Sequence, residues 1–141
     1  MKLRMKGRFQ VWRNGFLLAS GRNLVVNGGL NTFAHLMAGG GSPTLQKMAM
    51  GTSSITPDVT QTALQGTEAQ RVTATVSSSG PLVNVSATFP GDSSRLADVT
   101  VREFGIFASD GTMVARWTCN DILVLRTDQL GANWTIEPEQ E

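Results

Sequence analysis

Val101-Arg-Glu-Phe-Gly-Ile-Phe-Ala-Ser-Asp-Gly-Thr-Met-Val-Ala-Arg-Trp117 consists of an apolar run, the dipeptide Asp110-Gly111, and a second apolar run. Asp-Gly between two such runs is a strong hairpin signal, because glycine supplies the positive φ angle that a tight turn requires. We therefore predict two antiparallel strands that are joined at Asp110-Gly111. The clearest structural signal in the chain is thus a β signal.

Further β signals lie on both sides of this hairpin. Residues 2–13 alternate between apolar and polar side chains, which predicts a strand with one buried and one wet face. Asn14-Gly15 predicts a second tight turn, leading into the strand Phe16–Ala19. Ser77-Ser-Ser-Gly-Pro81 predicts a third hairpin, which joins the β-rich runs 71–76 and 82–89. The remaining β-rich runs are 48–50, 122–125 and 134–136.

One segment has helical periodicity. Asn27 is a candidate helix cap, and apolar residues follow it at helical spacing: Leu30, Phe33, Ala34 and Met37. Gly39-Gly-Gly-Ser-Pro43 ends the pattern. We predict a helix at about residues 28–38 whose buried stripe is Leu30, Phe33 and Met37, with His35 facing solvent.

These elements predict a mainly β protein. Seven to nine short strands with frequent turns favour a single-domain β-sandwich or a jelly-roll-like barrel with one packed α-helix. The chain of 141 residues fits one domain, 1–141, with a basic N-terminal strand or arm at 1–13. Residues 51–70 are rich in Thr, Ser and Gln and form a long loop or arm.

Three segments carry a resemblance to a known group. They are Glu103–Arg116, Asn23-Leu-Val-Val-Asn-Gly-Gly-Leu-Asn31, and Met48–Pro57 with the Thr62, Leu64, Glu68 and Arg71 that follow it. Together they resemble small virion proteins of tailed bacteriophages, in particular tail-collar and tail-fibre attachment proteins. The segments span residues 23 to 117 in the expected order. The likeness is to a pattern of strands and turns, not to catalytic residues.

The resemblance implies a non-enzymatic structural component of a tailed-phage virion, with a tail or fibre-attachment role favoured. A capsid decoration protein is the alternative, and a receptor- or carbohydrate-binding module is a further one. The expected partners are other virion proteins and copies of the chain itself, with a trimer as the first expectation. On this interpretation residues 51–70 favour an arm that reaches a neighbouring subunit.

The resemblance also assigns a structural hairpin, whose named residues are Glu103, Gly105, Asp110 and Gly111. The matching glutamate is a usual feature of the resembled hairpin. Its implied role is a partly buried ion pair or a bond to loop backbone, with Arg116 as a potential partner across the hairpin. A carboxylate on the wet face is the alternative interpretation.

Charge is distributed unevenly along the chain. Residues 1–57 contain seven basic side chains and no acidic one, whereas residues 58–141 hold five basic and all eleven acidic side chains. The basic end can bind an acidic protein or be neutralised within the monomer; nucleic acid is an unlikely partner, because no nucleic-acid-binding motif is present. The interface candidates are Lys2, Arg4, Lys6, Arg8 and Trp12.

Catalytic patterns are weak. His35 and Cys119 are the lone histidine and cysteine, and no Gly-x-Ser-x-Gly or phosphate-loop motif occurs. The acidic pairs Asp92 with Asp98 and Glu103 with Asp110 lie in turns or near strand ends, where carboxylates are ordinary. We expect no enzyme activity, no metal and no cofactor. Without a signal peptide or an apolar run long enough for a membrane, we expect a virion protein assembled in the host cytoplasm.

Overall fold

The computed structural model describes residues 3–91 and 97–140, of which strands form the largest part. The elements in chain order are β1 (Leu3–Arg13), β2 (Phe16–Val25), α1 (Asn27–Met37), β3 (Leu45–Gly51), β4 (Glu68–Thr73), β5 (Thr75–Ser79), β6 (Leu82–Phe89), β7 (Val99–Ala108), β8 (Met113–Val124) and β9 (Leu130–Gln140).

The nine strands form one antiparallel sheet that is nearly closed into a barrel, in the order β4-β3-β7-β8-β2-β1-β9-β6-β5. At one corner β4 continues into β5, and the amide of Ala74 between them donates to the carbonyl of Gln46 at 2.8 Å. At the other corner β2 pairs with β8 through Leu24 and Val25. The predicted mainly β, barrel-like fold with one helix is confirmed.

The predicted hairpins form at their turn residues. Asn14 and Gly15 both have positive φ angles, 50° and 81°, which suits the tight turn between β1 and β2. Gly111 has φ 91° in the β7–β8 turn. There Asp110 Oδ1 accepts a hydrogen bond from the amide of Thr112 at 3.0 Å. The hydrogen bonds from Thr112 lower the pKa of Asp110 and stabilise the turn.

Several strand boundaries differ from the sequence prediction. The run 122–125 is not a separate strand, because β8 continues through a bulge to Val124. The run 71–76 is divided at Ala74, where the chain passes from β4 at one edge of the sheet to β5 at the other edge. Strand β2 is longer than the predicted Phe16–Ala19 and extends to Val25.

The barrel interior is filled by aromatic and aliphatic side chains from both sides. The Phe9 and Trp117 rings stack with centroids 5.0 Å apart, and Phe104 packs 5.2 Å from Phe9. Phe89 and Trp134 are fully buried beside them. Such rings bury large apolar areas, so this cluster is the main source of hydrophobic stabilisation.

The predicted buried stripe of α1 is wrong. Leu30 is 45% exposed and Met37 is 79% exposed, whereas the buried residues of the helix are Gly29 and Thr32. The reason is close packing on β8: a Cβ atom on Gly29 would lie 2.2 Å from the carbonyl oxygen of Val114. The face of α1 that contains Gly29 therefore packs against the sheet. Phe33 is partly buried and packs against the core, and His35 is exposed as predicted.

The predicted helix cap is also displaced by one residue. The N-cap is Val26, which makes no side-chain capping bond. Its amide instead donates to the carbonyl of Val114 at 3.0 Å, and the amide of Asn27 donates to the carbonyl of Val59 at 2.8 Å. These bonds satisfy the amides of the N-cap and of the first helical residue, two of the N–H groups that have no partner within the helix.

Gly29→Ala should destabilise the protein by about 1–3 kcal/mol, because the added methyl group overlaps the β8 backbone. Intrinsic helix propensity predicts the opposite sign, since alanine favours a helix over glycine. Met37→Ala on the exposed side of the helix is the control and should change stability by less than about 0.5 kcal/mol. Urea unfolding measures both values. A Gly29→Ala protein as stable as the parent would show that α1 does not pack closely on β8.

Candidate functional site

A buried ion pair joins the two strands of the central hairpin. Glu103 of β7 and Arg116 of β8 are both fully buried, and Arg116 Nε lies 2.9 Å from Glu103 Oε1. Burying two charges is costly unless their remaining hydrogen-bonding capacity is also satisfied. The groups that form hydrogen bonds with Glu103 and Arg116 therefore identify the contacts that hold this part of the fold together.

The carboxylate of Glu103 binds the backbone of the segment between β3 and β4. It accepts hydrogen bonds from the amides of Gln65 at 2.8 Å, Gly66 at 2.8 Å and Ser53 at 2.9 Å. We call residues 52–67 the anchored loop. Both ends of this loop are thus held by one side chain.

The guanidinium of Arg116 binds the same loop through acceptors. It donates to the carbonyls of Ile55 at 2.6 Å and Ser53 at 3.3 Å, and to Gln61 Oε1 at 3.2 Å. The two charges therefore bind complementary groups of the loop. The Glu103 carboxylate accepts hydrogen bonds from backbone N–H groups, and the Arg116 guanidinium donates to oxygen atoms. This complementarity offsets the desolvation of both charges.

Small residues let the loop approach the pair. A Cβ atom on Gly51 would lie 2.7 Å from Glu103 Oε2, and one on Gly66 would lie 3.0 Å from the same oxygen. Beneath the loop, Gly105 leaves space for Leu64, which packs on a cluster that contains Phe107 and Met113. The loop thus contacts the hairpin at both Glu103 and Gly105.

The ionised form of Glu103 is the favoured one. Burial by itself raises the pKa of this carboxyl, but hydrogen bonds from Gln65, Ser53, Arg116 and Gly66 outweigh it and hold the pKa below its ordinary value. A carboxylate that is held ionised and surrounded by hydrogen-bond donors fits the role of a structural anion.

Residues 51–70, predicted as a long loop or as an arm that reaches a neighbouring subunit, make contacts within their own chain. Gly51 ends β3, residues 68–70 begin β4, and the loop between them folds onto its own β7–β8 hairpin. The physical reason is the buried pair, whose satisfied charges require the loop backbone. The resemblance implied a partly buried ion pair or a bond to loop backbone for Glu103; the structure has a fully buried ion pair and also bonds to the loop backbone.

The described side chains that were considered for catalysis lie in surroundings typical of structural residues. Burial, together with the charge of Asp121, raises the pKa of the Cys119 thiol to about 12, so the nucleophilic thiolate is disfavoured at neutral pH. Asp98 accepts a hydrogen bond from the amide of Arg126 at 2.7 Å; Asp92 lies outside the described residues. Glu103 is under the loop and Asp110 is in the turn. Among residues 3–91 and 97–140, no group of three potential metal ligands occurs.

The predicted basic face lies on β1. Lys6 is opposite Glu137 of β9, and Arg4 is in register with Glu139. The acidic C-terminal half therefore supplies neighbours for part of this face. Arg8 is exposed and lies directly opposite another cation, Arg22 of β2.

The other interface candidates are placed differently. Lys2 lies outside the described residues. Trp12 is half-buried and pairs with Leu17 and Gly131. Lys6, Arg8 and Trp12 thus have different strand neighbours.

Sequence reasoning missed a group of exposed apolar side chains where β2 begins and β8 ends. We call it the apolar end: Phe16, Leu17, Leu18, Leu123 and Leu125. Arg13, at the end of β1, contacts the β8 side of this group. Its guanidinium donates a hydrogen bond to the carbonyl of Leu123, and its Nε lies 3.5 Å from Asp128 Oδ2. The signal was the run Phe16-Leu17-Leu18, which breaks the alternation of a strand with one buried face.

Next to the apolar end lies a cavity of about 560 Å³. It is lined by Leu18–Ser20 of β2 and Trp117–Ile122 of β8, with Ser54 at its edge.

Comparison with protein-family models, curated proteins and solved structures gives no match. In the described part of the chain, no helix has the length and apolar character needed to cross a membrane.

Glu103→Gln should destabilise the protein by roughly 3–5 kcal/mol, because it leaves the Arg116 cation buried without its counter-ion. The control is Glu68→Gln, which removes the same charge from an exposed pair with Arg71 and should cost less than about 1 kcal/mol. Urea unfolding at neutral pH measures both. Equal effects of the two substitutions would contradict the structural role of the buried pair.

The effect of Glu103→Gln should also depend on pH. Since the pKa of Glu103 is lower in the folded chain than in the unfolded one, its stabilisation is complete above the unfolded pKa of about 4.3 and is lost as the pH falls through the folded pKa. The difference in unfolding free energy between parent and variant should therefore shrink below about pH 4. A difference that stays constant down to acid pH would show that the charge of Glu103 is not responsible.

Proposed function

We propose that the protein is a non-enzymatic structural component of a tailed-phage virion that acts through protein–protein contacts, with a tail or fibre-attachment position favoured. The resemblance of the segments within 23–117 supports the virion setting. A second support is a group of exposed apolar side chains at one end of the barrel.

The observation that carries the proposal is the apolar end. Phe16 is 75% exposed, Leu123 is 55% exposed and Leu17 is 52% exposed, although the barrel interior is closely filled with other apolar side chains. Isolated apolar residues are normal on a protein surface, whereas several large ones at one site mark an interaction surface. A partner that covers this end would remove their apolar area from water.

The anchored loop is consistent with a binding role for the rigid fold. A long loop is often either mobile or part of a catalytic site, but here the buried Glu103–Arg116 pair uses its backbone groups for structure. The loop therefore has a fixed conformation before any partner binds. Parts of a protein that are ordered beforehand lose little conformational entropy on association.

Contacts with copies of the chain are part of this proposal. Strand edges and apolar surface that are incomplete in one copy can be completed by neighbours in a symmetric assembly. A trimer is the proposed form, on the basis of the resemblance. The basic pair Arg8 and Arg22 offers a second, polar contact surface for an acidic neighbour.

Quantitative mass spectrometry of purified particles from the phage that encodes the chain tests the proposed position. The expected result is a copy number that matches the tail tip or the fibre attachment points. A copy number that scales with the capsid surface would favour a decoration protein instead. Absence of the chain from the particle would contradict a virion role altogether.

The double variant Leu17→Ser and Leu123→Ser should enter particles several-fold less often than the parent, because it weakens the apolar contact. Val76→Ser is the control, since Val76 is a similarly exposed apolar residue on β5. Both variants should unfold near the parent temperature, because the altered side chains are exposed. Equal incorporation of the double variant and the parent would show that the apolar end is not the contact.

A further inference from the structure

Three cations lie together on the outer face of the β1–β2 pair. In the β1–β2 register Arg8 is directly opposite Arg22, and Lys6 precedes Arg8 by two residues on β1. Phe9 of β1 is buried in the core, whereas Arg8 and Arg22 are exposed. Because side chains alternate between the two faces of a strand, the three cations share the face that points away from the core. We call Lys6, Arg8 and Arg22 the cation group.

The cation group makes no ion pair within residues 3–91 and 97–140. By contrast, Nε of the surface residue Arg102 on β7 lies 2.8 Å from Oδ1 of Asp121 on β8. Like charges that are directly opposite each other on a sheet destabilise it. Arg8 and Arg22 therefore repel each other in the free protein, and an anion bound between them would remove this repulsion.

The cation group surrounds a cavity of about 280 Å³. The lining of this cavity is Lys6, Arg8, Ser20 and Arg22, with Gly7 and Gly21 between them. Its volume is many times the roughly 10–15 Å³ that a single bound water requires, so the end of an acidic side chain fits. The charged lining groups can only donate hydrogen bonds, and an ionised oxyanion can only accept them, with arginine able to bind it through two parallel bonds. The chemistry of the lining therefore selects an oxyanion, either a carboxylate or a phosphate.

We propose that the cation group binds two carboxylates at alternate positions of an extended segment of a different polypeptide. The β1–β2 register is regular here, since its bulge lies between Val11 and Trp12. Lys6 and Arg8 are two residues apart on a strand, which is about 7 Å between Cα atoms. Alternate residues of an extended segment laid along β1 have the same spacing. One carboxylate then binds between Arg8 and Arg22, whose Cα atoms are about 5 Å apart as direct cross-strand neighbours, and the other binds Lys6.

The surroundings of the cation group favour a polypeptide over a nucleic acid. On β9, Glu137 is opposite Lys6 and Thr135 is opposite Arg8, so the next strand offers an anion and a neutral side chain. A nucleic-acid strand carries a phosphate at every nucleotide and is bound by basic surfaces that continue along it. On the β9 side its further phosphates would meet Glu137. Two carboxylates on a polypeptide require no cation beyond the three of the cation group.

The acidic side chains of the chain itself favour a different polypeptide over a second copy. In the part of the chain whose side chains the structure describes, each carboxylate except Glu137 already accepts a hydrogen bond. Asp98, for example, accepts one from the amide of Arg126, and Asp58 accepts one from the amide of Thr60. A second copy that supplied one of these carboxylates would first lose its present bond. Free carboxylates on another protein bind without this cost.

This inference deepens the proposed function and rests on it for the nature of the partner, another protein of the particle. Its test uses purified full-length protein and no particles, so the two can fail separately. The probe is a capped peptide of glycine and serine that carries two glutamates at alternate positions, titrated at low salt and observed by NMR. Binding should shift the amide resonances of Gly7 and Gly21 and the Nε–H resonances of Arg8 and Arg22. It should weaken as salt is added, because exposed charges are screened.

Arg8→Gln with Arg22→Gln is the decisive double variant, because it removes both guanidinium groups from exposed positions. Lys47→Gln with Arg126→Gln is the matched control, since it removes the same net charge from positions outside the cavity. The peptide should bind the first variant about tenfold or more weakly and the control much like the parent. A peptide with glutamine in place of both glutamates should show the same loss against the parent, and one with two adjacent glutamates should bind several-fold more weakly.

Other results would overturn the proposal. Equal binding of the three peptides, equal weakening in both double variants, or shifts confined to another surface would show that the cation group is not a carboxylate site. Tighter binding of an oligothymidylate at the same residues would show that the partner is a nucleic acid. If the parent self-associates in sedimentation experiments and the Arg8 and Arg22 variant does not, the partner is a second copy. Should that variant fail to fold, the three peptides give the same test on the parent. Peptide binding by a chain that is absent from particles would contradict the proposed function and not this site.

Discussion

The buried pair of Glu103 and Arg116 is the interaction on which the outer side of the β7–β8 hairpin depends. Its two charges are satisfied by the backbone of the anchored loop, residues 52–67, which would otherwise be a long polar connection. The pair and the loop need each other: the charges cannot be buried without the loop, and the loop backbone has no sheet to join. Because polar networks are most stabilising when every member is satisfied, this arrangement favours one loop conformation.

The sheet has its two edges at β4 and β5, which are continuous in the chain through Ala74. Between β2 and β8 the ladder is short: it pairs Leu24 with Arg116 and Val25 with Ala115. The exposed Phe16 and Leu123 belong to the same two strands. These exposed apolar side chains are the observation on which the proposed contact rests.

Local signals in the sequence were sufficient for the turns but not for the packing. Asn14-Gly15 and Asp110-Gly111 require backbone angles that few residues adopt, so their hairpins could be predicted from two residues each. The buried side of α1 could not be, because it depends on the close approach of Gly29 to Val114. The loop's contacts could not be predicted for a similar reason. Its partners, Glu103 and Arg116, are distant in sequence, and no local pattern in residues 51–70 indicates them.

Residue-specific hydrogen exchange by NMR at neutral pH tests the central claim most directly, namely that the buried pair holds the loop as part of the sheet. The informative amides are those of Ser53, Gln65 and Gly66, which donate to the Glu103 carboxylate. The account predicts that all three exchange slowly and in step with amides of β7, although they lie in a loop near the surface. Exchange of these amides at the rate of an unstructured peptide would contradict it.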